Sequence, residues 1–112
     1  MELKVSEKDG VTVLVLVGRM DTAGAGKIET QFTASAVPAG RPAVVDLSGV
    51  SFIASLGIRL LFSAARALAR ANAKMAVFGA NGPVADVLHT VALDQLVPVK
   101  ATEAEALAAV KA

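Results

Sequence analysis

An α/β fold, with helices packed on a partly parallel sheet, is what this sequence predicts, and three observations carry the prediction. Extended and helical patterns alternate in the order strand, strand, helix, strand, helix, strand, helix, short strand, helix. Residues 11–17 form a continuous apolar run rich in β-branched side chains, as expected of a central strand covered on both faces. Residues 55–71 carry the clearest helical periodicity in the chain.

The elements follow in order. Residues 3–6 alternate as an edge strand would, and Asp9-Gly10 is a hairpin turn leading into 11–17. Gly18 is expected to end that strand. Asp21 or Thr22 can cap a helix reaching to about residue 36. Gly24 and Gly26 weaken its first turn, each by about 1 kcal/mol relative to Ala if truly helical. Pro38, Gly40 and Pro42 mark a loop, and residues 43–47 are the next strand.

At about 100° per residue, Arg59, Ser63, Arg66 and Arg70 share one face of the helix at 55–71. Leu61, Ala64 and Leu68 lie opposite, with Leu60 and Ala65 beside them. Residues 74–78 read as a strand and 79–82 as a turn. Pro83 suits the first position of a helix whose apolar face is Val84, Val87, Leu88 and Val91. Residues 97–99 are a short extended piece, and Thr102 with Glu105 forms a capping box for a final helix.

Composition narrows the function classes. A chain of 112 residues suffices for one domain and is too short for two, so residues 1–112 are expected to form a single unit. The formal net charge of +1 lacks the basic excess of a nucleic-acid binder. The chain contains no cysteine, which removes thiolate catalysis and cysteine-based metal sites. With one histidine there is no cluster for a metal, and His89 reads as a solvated surface residue. The longest apolar run, 11–17, is too short to span a bilayer, so no membrane insertion is expected. It follows an acidic start (Glu2, Glu7, Asp9) unlike a signal peptide. A cytoplasmic location is the expectation.

Enzyme motifs fail on inspection. Gly24-Ala25-Gly26-Lys27 lacks the phosphate-loop glycine five residues before Gly26, where Asp21 stands, and Ile28 replaces the required Ser or Thr. Residues 79–82 lack the spacing of a dinucleotide fingerprint. Ser55 lacks the flanking glycines of a nucleophile elbow. No catalytic activity and no cofactor are expected.

The junction at residues 44–61 carries the functional signal. It reads as a buried strand, a short turn, and a helix that begins at Ser55. Serine is a preferred N-cap, and a hydroxyl there also lies beside the unpaired N–H groups of a first helical turn. Gly57 in that turn suits close packing of the helix on a strand, or close approach of a partner's backbone. Ile58, Phe62 and Ala69 flank the arginine face and suit either a neighbouring helix or an apolar partner patch. Asp21 suits a turn or N-cap carboxylate, or a partner contact.

The stretch Asp46-Leu47-Ser48-Gly49-Val50-Ser51-Phe52-Ile53-Ala54-Ser55-Leu56-Gly57-Ile58 resembles the signature of STAS domains, in particular bacterial anti-sigma factor antagonists. Gly18-Arg19-Met20-Asp21, and Leu88 with Val91-Ala92-Leu93-Asp94, resemble further family segments. The resemblance runs along nearly the whole chain. It implies a mixed β-sheet with helices mainly on one face, and a protein partner that is a serine kinase and anti-sigma factor. It makes Ser55 the phosphorylated residue, reset by a phosphatase, and places Asp21 near the kinase contact. Asp21, Ser55, Leu56, Gly57, Ile58 and Phe62 are then the expected partner-binding residues. Ala54 stands where the family has an aspartate, and Leu56 where it has Ser or Thr. Those departures suit the alternative of an unphosphorylated STAS interaction module in a lipid-transport or signalling assembly.

Overall fold

The computed structural model describes residues 1–36 and 40–111, so Pro38 of the expected loop lies outside the described residues. Strand β1 (Glu2–Lys8) turns through Asp9-Gly10 into β2 (Val11–Met20). Both turn residues have positive φ, +52° and +80°, the type I′ geometry that matches strand twist. Helix α1 (Thr22–Ala36), β3 (Ala43–Ile53), α2 (Ser55–Arg70), β4 (Met75–Phe78) and α3 (Gly82–Thr90) follow. A 3-10 turn at Leu93–Gln95, β5 (Val99–Lys100) and α4 (Glu103–Lys111) complete the order.

The sheet has strand order β1-β2-β3-β4-β5. The β1–β2 pair is antiparallel and the other three pairs are parallel. Each parallel step advances in the same direction, so right-handed crossovers place α1, α2 and α3 on one face. There Phe32 of α1, Leu61 and Leu68 of α2 and Leu88 of α3 join Leu14, Leu16 and Leu47 of the sheet in one buried cluster. Helix α4 covers part of the opposite face with Ala106, Leu107 and Val110 on Val11, Val13, Val44, Ala76 and Phe78. The expected mixed sheet with helices mainly on one face is what the chain forms.

Three local expectations are corrected. Strand β2 does not end at Gly18 but continues to Met20, because β3 continues beside it. Strand β3 itself runs to Ile53 rather than stopping at Leu47. The polar Ser48-Gly49 pair reads as a turn locally, yet two register shifts carry the ladder past it, pairing Val17 with Gly49, Gly18 with Val50 and Met20 with Ile53. The β2 run is also covered on both faces only in its first half, since Val17 is 40% exposed beyond the reach of α4.

Candidate functional site

The longer strands decide where the junction lies. At the end of β3 the Ala54 N–H donates to the Met20 carbonyl at 2.9 Å, tying the exits of β2 and β3 together. The start of α1 and the start of α2 therefore stand side by side. Leu56 of α2 sits within van der Waals reach of the Gly26 position of α1.

Ser55 is not the N-cap. Ala54 holds that position, with extended dihedrals (φ −114°, ψ −179°) and no side-chain cap. The ladder extension moves the last extended residue to Ala54, so Ser55 becomes the first residue inside the helix. Its side chain is exposed, and none of the described protein groups bonds it. The first backbone bond of α2 runs from the Ile58 N–H to the Ala54 carbonyl, 3.1 Å. The N–H groups of Ser55, Leu56 and Gly57 precede it and carry the positive end of the helix dipole. No acidic residue lies in this first turn.

The other expected site residues divide by burial. Leu56, Ile58 and Phe62 are half-buried against the core, each leaving part of its surface open. Gly57 is buried: a Cβ there would stand 2.8 Å from Met20 Cγ and 3.1 Å from Ile53 Cγ1. Of its two readings, the geometry favours close packing of helix on strand.

Asp21 caps α1. Its carboxylate accepts from the Gly24 N–H at 2.7 Å, while its carbonyl accepts from the Ala25 N–H at 2.8 Å. The Gly24 hydrogen bond holds the Asp21 carboxyl below its ordinary 3.8; desolvation opposes it, and the nearby Arg19 charge adds to the lowering. A lowered carboxylate pKa contributes stability that is complete above the unfolded value of about 3.8 and is lost as pH falls through the lowered folded value. Urea unfolding of the native protein and Asp21→Asn across acidic pH is the check. The native protein is expected to be the more stable at neutral pH, and the difference to close as Asp21 protonates. A difference unchanged down to strong acid would refute this role.

Two residues at this edge were not singled out by their types. Arg19 spans the gap between the site's parts, with Nε 3.3 Å from Asp21 Oδ2 and its guanidinium 4.1 Å from the centre of the Phe52 ring. Phe52 is 38% exposed, so the pair lies at the surface where β2 and β3 end. The available signal was the resemblance: each lies in a stretch that resembles a family segment, two residues before Asp21 or Ala54. On the other side, Asn81 caps α3 by accepting from the Val84 N–H at 3.0 Å and donates to the Val50 carbonyl at 2.9 Å. That bond fixes the β4–α3 loop to β3.

Elsewhere, His89 is exposed and bonds Asp94 at 3.0 Å. Among the described residues, no three His, Asp or Glu side chains converge as a metal site would require. No described helix is long and apolar enough to cross a membrane.

This arrangement of a five-stranded mixed sheet, four helices and a serine at the β3–α2 junction is that of the STAS domain, whose family model matches residues 2–106. The chain belongs to the STAS domain family. The crystal structure of an anti-sigma factor antagonist from Mycobacterium paratuberculosis superposes with a TM-score of 0.87 at 30% identity, covering 99% of this chain and 94% of that one. BtrV of Bordetella bronchiseptica, a protein assigned as an anti-sigma factor antagonist, is 25% identical over 99% of this chain and 96% of its own length. The chain is thus a member of the anti-sigma factor antagonist family, whose proteins are non-enzymatic regulators. The fold is also shared with the phosphorylated form of the Bacillus cell fate determinant SpoIIAA, with a TM-score of 0.71 at 17% identity over 96% of this chain and 97% of that one.

Proposed function

We propose that this protein is a phosphorylation-controlled binding switch, a single STAS domain over residues 1–112 acting in the bacterial cytoplasm. Its partner is a serine kinase that is also an anti-sigma factor, which binds the protein while Ser55 is unmodified. Phosphorylation of Ser55 releases the partner, and a phosphatase resets the switch. Asp21, Ser55, Leu56, Ile58 and Phe62 form the contact surface, and Gly57 lets α2 sit close enough to β2 to present it.

One observation carries this reading: Ser55 is exposed at the first position of α2, beside unpaired N–H groups and without a side-chain partner. A phosphate adds roughly −1.5 to −2 charges. The helix N-terminus accommodates that charge, and Arg59 stands one turn further along on the exposed face. The fold therefore tolerates the modification, whereas a partner docked over Ser55 meets a hydrated dianion. The phosphorylated structure of SpoIIAA supports the same reading, since a protein of this fold takes up phosphate and stays folded.

The test is incubation with the cognate kinase and ATP, followed by mass spectrometry of the peptide that contains Ser55. Phosphate on Ser55, absent from Ser55→Ala, is the expected result. Phosphate elsewhere or nowhere refutes the switch. Ala54 and Leu56, in place of an acidic residue and a hydroxyl residue, favour a second reading: a constitutive interaction module in a lipid-transport or signalling assembly. Partner binding with no phosphate on Ser55 would select it.

A further inference from the structure

The sheet has two edges, and they differ. The β5 edge is two residues long and α4 packs beside it. The β1 edge is seven residues long, and every residue of β1 except Leu3 is exposed, with Val5 at 42%. An exposed edge of this length is a template for another strand unless something opposes pairing.

The hairpin fixes which backbone groups face outward. In a two-residue hairpin the flanking residues, Lys8 and Val11, form a hydrogen-bonded pair. Ser6↔Val13, Lys4↔Val15 and Glu2↔Val17 follow at alternate positions. Thr12 agrees with this pattern, since its N–H points the other way, to the Pro42 carbonyl at 2.9 Å. The N–H and C=O groups of Leu3, Val5 and Glu7 therefore point away from β2 into the open edge.

We infer that this edge pairs with its own copy: β1 of two chains joins antiparallel about Val5, making one ten-stranded sheet. Antiparallel pairing must oppose outward-facing residues to outward-facing residues, so allowed registers differ by steps of two. Centred on Val5, the register pairs all seven residues. It sets Glu2 against the partner's Lys8 at both ends, Val5 against its own copy, and Lys4 against Ser6. One step to either side sets Lys4 against Lys4 or Lys4 against Lys8, each a like-charge pair facing directly across the ladder. Charge thus selects the one register that is also the longest.

The two-fold axis of such a pair runs perpendicular to the sheet. Helices α1 to α3 of both copies then share one face, and the two Ser55 positions point to opposite ends, both open to a partner. The contact is small beside the roughly 1,200 Å² of stable interfaces, so the dimer is weak and reversible.

Sedimentation equilibrium of the whole chain at low ionic strength, up to millimolar concentration, tests this. A reversible monomer–dimer equilibrium is expected. Glu2→Lys and Lys8→Glu should each weaken it by about tenfold or more, and the double variant should restore it, because the charges again oppose. Lys8 also meets Glu103 at 3.2 Å, but loss of that exposed pair cannot be reversed by Glu2→Lys. Val5→Pro removes an outward N–H and no β1–β2 bond. It should reduce dimerisation by about tenfold or more with an unchanged far-ultraviolet spectrum. A wild-type chain monomeric at millimolar concentration, a dimer indifferent to Val5→Pro, or a double charge variant as weak as the single ones overturns the inference.

Discussion

Ser55→Asp is expected to weaken binding of the partner kinase by about 100-fold or more, with Ser55→Ala binding close to the native protein. The magnitude follows from the cost of burying an unpaired carboxylate in an interface, about 3 kcal/mol. The fold should not suffer. Ser55 is exposed and donates to no described side chain or backbone group. An aspartate in a first helical turn interacts favourably with the dipole. Calorimetric titration of the kinase, paired with thermal unfolding of each variant, separates the two effects. Aspartate binding as tightly as serine would sink the proposal that charge at this position controls docking. A loss of binding with an equal loss of stability would move the effect from the interface to the fold.

The second large effect concerns two glycines of α1 that look equivalent in the sequence. Gly24→Ala is expected to destabilise the protein by about 2–3 kcal/mol, while Gly26→Ala should stabilise it by about 0.5–1 kcal/mol. Helix propensity alone favours alanine at both. At Gly24, however, a Cβ would lie 2.2 Å from the Arg19 carbonyl oxygen, which is backbone and cannot rotate away. At Gly26 the nearest atom is Leu56 Cδ2 at 3.9 Å, an ordinary contact. Chemical denaturation of both variants measures the difference directly. Equal shifts of the same sign would show that α1 does not press on the β2 exit as described.

Much of the fold was legible because its signals are local. The alternation of strands and helices, the Asp9-Gly10 turn and the Thr102–Glu105 box each depend on residues close together in the chain. The faces of α2 were legible for the same reason: Leu60, Leu61, Ala64, Ala65 and Leu68 are buried and Arg59, Ser63, Arg66 and Arg70 are exposed. The extent of β2 and β3 was not. Ser48 and Gly49 carry a turn's composition, and the Ser48 N–H and hydroxyl both bond the Asp46 carboxylate, at 2.9 and 2.6 Å. Nothing local shows that Val17 and Gly18 will pair with Gly49 and Val50 across the intervening helix.

The site divides along the same line. The sequence by itself determined the order of elements, the amphipathic faces and the serine at the start of α2, because spacing along one element sets them. Only the tertiary structure decided that Ala54 rather than Ser55 takes the N-cap, since that depends on where the β2–β3 ladder stops. It also decided that Gly57 packs on Met20, and that Arg19 joins Asp21 to Phe52. These are contacts between residues remote in sequence, fixed by the approach of backbones rather than by any pattern that the chain carries locally.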